Sequence, residues 1–190
     1  MRFAAMELEK PPDTLPVTVE GFIEQARLNG LTVARQPNLI ERELAAATLR
    51  AEQYLRRSLI TQTLRGLFVP DGLDCACGLN LALPRGRVQS VESITSGSTE
   101  VDPATYTLNW NVVTLQSPLL GAATVIWVSG YGDDAAAVPD LIIEGIYRYA
   151  TELYDNRSGV SDQKYEAQAS ATLAQGIVGC WRPYQVELSG

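Results

Sequence analysis

Histidine is absent from all 190 residues. That gap removes His-based triads, Cys–His dyads, histidine metal sites and the usual general base together. Cysteine is scarce: Cys75 and Cys77 form a C-x-C pair and Cys180 stands far away. An odd number of cysteines without a secretory signal is not a disulfide framework. No apolar run approaches the ~18–20 residues of a membrane span, and no basic-then-apolar signal opens the chain. A soluble intracellular protein is therefore expected. Basic residues are also few, 15 against 22 acidic ones, for a net charge of −7. This balance argues against a nucleic-acid clamp, which needs clustered Lys and Arg to displace counterions. It remains compatible with a channel that DNA passes through without sticking, since an acidic surface repels phosphate.

What is present is ordinary globular material, 46% hydrophobic and 19% charged. A chain this long can bury about 70% of its unfolded surface and needs neither disulfides nor metals to fold. Residues 1–16 contain Pro11, Pro12 and Pro16 and show no periodicity, so they read as an extended arm. Thr18 is a plausible N-cap for a short helix carrying Val19, Phe22, Ile23 and Ala26 and ending at Asn29-Gly30. Pro37-Asn38 opens a longer helix, with Glu41 completing a capping-box pattern. Ile40, Leu44, Ala47, Ala51, Tyr54 and Leu55 keep a 3.6-residue period to about Ser58. From Leu59 the pattern becomes β-branched and alternating, and five or six strands are expected up to Ser129. Among them is a hairpin turning at Asn109-Trp110-Asn111. Pro139 then starts the clearest helix, expected to be about 18 residues and roughly 27 Å long. Its apolar stripe is Ile142, Ile146, Tyr149, Ala150 and Leu153. Residues 158–176 read as weak helix or linker, and the apolar, aromatic end from Ile177 to Tyr184 needs a surface to cover it.

The expected fold class is α+β. A helical body, two N-terminal helices plus one long C-terminal helix, carries an inserted small antiparallel β unit and an extended C-terminal tail. The expected division is an arm at 1–16, one domain at 17–160 (helices 17–58, β unit 59–130, helix 139–157), and a linker and tail at 161–190.

Several motifs invite a chemical reading. Gly130-Tyr131-Gly132-Asp133-Asp134-Ala135 formally fits a dinucleotide-binding G-x-G-x-x-A. The helix, however, starts late, at Pro139, away from any phosphate at this turn. Asp133 and Asp134 would repel phosphates, and Asp155 falls within a helix rather than at a strand end. A structural turn is favoured. Two adjacent carboxylates are too few for a calcium or magnesium cage, so they read as a solvated loop. Cys75 and Cys77 lack the partners of a tetrahedral zinc site, with Asp71, Asp74 and Cys180 as unsupported extra ligands. Tyr147, Tyr149 and Tyr154 read as packing rather than base stacking. No G-x-S-x-G nucleophile elbow occurs. No cofactor, metal site or catalytic residue is expected.

Three stretches in order resemble one family: AEQYLRRSLITQT at 51–63, VSGYGDDAAAVPDLIIEGIYRYATELYDNR at 128–157 and WRPYQVEL at 181–188. With LPRGRVQSVESI at 83–94 and DPATYTL at 102–108, the set is similar to the head–tail connector (adaptor) proteins of tailed phages and gene transfer agents. The stretch at 158–176 is longer than that pattern. The resemblance implies a non-catalytic subunit of a ring, typically of twelve copies, below the portal protein. Such a ring extends the DNA channel, without sequence-specific DNA binding, and carries the next head-completion, stopper or tail protein. It implies a place in the virion, made in the bacterial cytoplasm, with no membrane contact. Carried onto this chain, Trp181, Arg182, Pro183 and Tyr184 would dock on the portal. Ile142, Ile146, Tyr149 and Leu153 would line the packing helix of the subunit body. Two other classes stay open: a nucleotide-binding enzyme using Gly130–Ala135, and a monomeric capsid-assembly module.

Overall fold

The computed structural model describes residues 1–28, 37–70, 79–119, 121–155 and 175–185. These form two compact units, Met1–Asp13 with Arg56–Asp133, and Thr14–Leu55 with Asp134–Gly190.

The first unit is a pair of antiparallel sheets. One has five strands in the order β1-β2-β8-β4-β5, built from Arg2–Lys10 (β1), Gln62–Val69 (β2), Val88–Ser96 (β4), Thr99–Glu100 (β5) and Ala123–Ser129 (β8). The other has three in the order β3-β7-β6, from Leu79–Ala82 (β3), Tyr106–Asn109 (β6) and Val112–Leu115 (β7). Period-2 alternation sets the inner faces. Leu64 opposes Trp127 and Phe68 opposes Ala123 between β2 and β8, and Leu81 opposes Val113 between β3 and β7. These residues share one core with Ile94, Val125 and Leu115. Each large side chain buried there contributes roughly 1.5–3 kcal/mol. On the outer faces lie contacts such as the Thr114 hydroxyl donating to Asn80 Oδ1 at 2.8 Å.

The second unit is helical. Val19–Gln25 (α1) is capped as expected, with Thr18 Oγ1 accepting from Gly21 N at 3.1 Å. Pro37–Leu55 (α2) buries Ile40, Leu44, Ala47, Ala51 and Leu55. Asp140–Asp155 (α3) packs against both α2 and α1. A fourth helix covers residues 175–181. Among the described residues, no helix is long and apolar enough to cross a membrane.

The expected fold class is corrected on two points. The β part is not a small insertion. It comprises eight strands in two sheets among the described residues, and it recruits residues 2–10. Those residues show no clean alternation because two bulges, between Phe3 and Ala5 and between Leu8 and Lys10, reset the side-chain phase. The C-terminal part is not an extended tail either. Residues 175–181 are helical and Arg182–Tyr184 form a 3-10 turn. Gly176, Gly179 and Pro183 weaken the local helical signal there. Ile177 and Trp181, one turn apart, are both buried, and that burial outweighs propensity.

Candidate functional site

The Gly130 turn is an internal seam of the β unit. Gly130 N donates to Arg87 O at 3.1 Å, and Tyr131 N donates to Leu59 O at 3.0 Å. Gly132 O accepts from Thr61 N at 2.9 Å, and the Gln89 amide donates to Thr61 Oγ1 and to Gly130 O, each at 3.1 Å. Two of the turn's amides, those of Gly130 and Tyr131, are thus already bonded to carbonyls rather than open to a pyrophosphate. A Cβ on Gly130 would lie 2.6 Å from Thr61 N and 2.7 Å from Ile60 C, so this glycine is required by close backbone approach. Asp134 caps the following 3-10 turn, Ala135–Ala137, by accepting from Ala136 N at 3.1 Å. Among the described residues, no cluster of three or more His, Cys, Asp or Glu could hold a metal. Asp71, Asp74, Cys75, Cys77 and Arg157 lie outside the described residues, as does most of the 158–176 stretch, whereas the Cys180 thiol is free and half-buried.

The α3 stripe divides by depth. Ile142, Ile146 and Ala150 are fully buried, Tyr149 and Leu153 are half-buried, and Gly145 and Tyr154 complete the buried face. Tyr154 meets Phe22 edge-on at 5.8 Å between ring centroids, and Tyr147 Oη accepts from Thr18 N at 3.0 Å. These tyrosines therefore serve packing and capping. On the exposed side, Arg148 Nε donates to Glu144 Oε1 at 2.8 Å, a bond that raises the guanidinium pKa above its ordinary value.

The four tail residues part ways. Trp181 is buried inside the helical unit, its indole N–H donating to Ile142 O at 3.2 Å and its ring near Tyr54 and Tyr149. It occupies the space that a Cβ on Gly145 would fill. Arg182 and Pro183 are exposed and Tyr184 is half-buried. The helix thus anchors a short polar turn at the surface, and residues 186–190 lie outside the described part.

The sequence reading passed over one group. Arg56, Arg57, Arg85 and Arg87 lie on segments joined by backbone hydrogen bonds, beside the Trp110 hairpin. The available signal was R-R and R-G-R within an acidic chain.

No family model and no curated protein matches the chain. Solved structures do. One chain, from the virion of a native gene transfer agent particle, is 14% identical with a TM-score of 0.72, covering 98% of this chain and 99% of that one. Another, from the neck of an empty particle of this kind computed with C6 symmetry, is 16% identical at a TM-score of 0.71 with the same coverage. A third, from the neck of a native particle computed with C12 symmetry, is 14% identical at a TM-score of 0.64, covering 97% and 98%. All three neighbours are components of the gene transfer agent virion or its neck. At these identities the likeness is one of fold.

Proposed function

We propose that the chain is a structural component of a virion neck, namely an adaptor subunit that forms a ring below the portal protein. In this reading the ring extends the DNA channel and carries the next head-completion, stopper or tail protein. The observation that carries it is end-to-end correspondence of fold, over 98% of this chain and 99% of a gene transfer agent virion chain. The Gly130 seam supports a non-enzymatic role, because the Gly130 and Tyr131 amides are committed to backbone carbonyls of the fold. Portal attachment is assigned to the exposed turn Arg182–Tyr184, held in place by the buried Trp181.

The ring is read as twelve-fold, and the C6 neck keeps six-fold as the second reading. Cryo-electron microscopy of the protein mixed with portal-containing heads tests both. A twelve-membered ring on the portal is expected. A monomer in the presence of portal overturns the adaptor reading, and six copies favour a position further from the head. Arg182→Glu is expected to leave folding unchanged and to abolish attachment; retention on heads overturns the docking assignment.

A further inference from the structure

Strand β1 lies at one side of the five-stranded sheet and pairs with β2 alone. Along its other side every second N–H and C=O points away from β2, and among the described residues no strand meets them. All nine of its residues are exposed. Counted by their partners on β2, Phe3, Met6 and Leu8 stand opposite Phe68, Gly66 and Leu64, evenly spaced and on the buried face of that strand. Phe3 packs edge-on against Phe68 at 5.6 Å between ring centroids, and a Cβ on Gly66 would meet Trp127 and the Phe3 ring. Yet Phe3, Met6 and Leu8 are 40%, 36% and 52% exposed. The row of core side chains thus runs one strand further than its cover. Charge lies off that row: Arg2 and Glu7 stand opposite Val69 and Arg65, and Glu9 Oε2 is 2.8 Å from Arg65 Nε. With Arg2 and Lys10 against Glu7 and Glu9, the strand has no net charge in a chain of −7. No proline interrupts residues 2–10. An open edge of this kind is a template for another strand.

We infer that β1 is a self-pairing strand: two copies of this chain join β1 to β1, antiparallel, about a two-fold axis at Met6. One register fits. With Met6 against Met6 of the partner subunit, Phe3 meets the partner subunit's Leu8, and Leu8 meets the partner subunit's Phe3. Six apolar side chains then form one continuous row of cross-strand pairs. An axis at Glu7 would set two carboxylates face to face, and one at Ala5 would leave Leu8 past the end of the opposing strand. At the Met6 axis Arg2 stands opposite Lys10 at the two ends, where solvent screens them and Glu9 lies beside them. The other open stretch of the sheet, residues 89–93 of β4, does not match. It is fastened at both ends, by Val88 N donating to Asn111 Oδ1 at 3.4 Å and by Val101 N donating to Ile94 O at 2.8 Å. Within it Val91, opposite Trp127, is the one apolar residue, so pairing β1 head-to-tail with β4 would leave most of the row uncovered. The β1–β1 contact is closed, so association stops at two and covers an edge that would otherwise invite aggregation. Its partners face opposite ways. It therefore belongs to the free chain, not to neighbours in the cyclic ring proposed above, and needs nothing from the adaptor reading.

Sedimentation equilibrium of the full chain over about a hundredfold range of concentration tests this. A reversible monomer–dimer equilibrium with no larger species is expected. One strand pair is narrower than a standard interface of about 1,600 Å², so the dimer should dissociate on dilution. Leu8→Lys, at the most exposed position of the row, is expected to leave Tm unchanged and to raise the dissociation constant about a hundredfold, tenfold for each copy of the substitution. Should that variant lose stability, cross-linking decides. Under mild oxidation Met6→Cys is expected to give a disulfide between two copies at position 6, identified by peptide mass, because directly opposed Cα atoms lie within disulfide reach. Leu8→Cys should not link to itself, since the two copies of position 8 stand four residues apart along the strands. A monomer at every concentration, growth beyond a dimer, a dimer untouched by Leu8→Lys, or linkage at position 8 in preference to position 6 overturns the proposal. Dimerisation is read on the free chain and ring assembly on portal-containing heads. The self-pairing strand and the adaptor role therefore fail separately.

Discussion

Gly130 and Gly145 sit where a side chain has no room, while Arg85, Arg87 and Trp110 keep side chains where the backbone would rather have none. At Gly130 an added Cβ meets the backbone of Ile60 and Thr61, and at Gly145 it meets the Trp181 indole. These glycines are dictated by packing. At the other three positions φ is 61°, 69° and 56°, and the side chain is tolerated at a conformational cost of about 1–2 kcal/mol each. The difference separates residues that build the fold from residues that the fold carries. Substitution should destabilise the first group and leave the second neutral or better.

The largest effect is expected at the Trp181–Gly145 contact. Trp181→Ala empties a buried site in the helical unit and should cost about 3–5 kcal/mol in denaturant unfolding. Gly145→Ala should destabilise the wild type but be nearly silent in the Trp181→Ala background, because the indole it strikes is gone. An additive pair would mean that Gly145 is constrained by something other than Trp181.

Gly130→Ala should cost about 3 kcal/mol, at the upper end for overpacking, because the obstacle is backbone that cannot rotate away. Chemical denaturation measures it, and a loss under about 1 kcal/mol would show the seam to be looser than its hydrogen bonds imply. Smaller still is the cap: Thr18→Ala removes the acceptor for Gly21 N and should lower stability by about 1 kcal/mol.

The helices were largely legible because their signals are local. Thr18 caps α1, and the 3.6-residue period of Ile40, Leu44, Ala47 and Ala51 reads directly as the buried face of α2. On α3 the period located Ile142 and Ile146 but overrated Leu153, which is half-buried while Tyr154 is inside. Strand β1 was illegible for a physical reason. It is an edge strand, with Phe3, Met6 and Leu8 each at least a third exposed, and its bulges destroy the alternation that marks a strand. Trp181 was visible as an apolar residue needing cover, yet its cover, the small residue Gly145, lies 36 positions earlier, and nothing local links them. The arginine group was hidden in the same way, since Arg56 and Gly86 become neighbours only through pairing distant in sequence.

The smallest expected effect has the opposite sign and tests the comparison most directly. Trp110 occupies the first turn position of the β6–β7 hairpin at φ 56°, with its ring in solvent. Trp110→Gly removes the left-handed strain and exposes no core, because the indole buries little. The fold should therefore gain up to about 1 kcal/mol, seen as a small rise in Tm. Asn109 still pairs with Val112, and Asn111 still holds Leu83 and Val88, so the hairpin register survives. If the variant instead lost stability, Trp110 would belong with Gly130 and Gly145 as a residue the fold requires. A more stable protein would show that the tryptophan is kept at the expense of the fold.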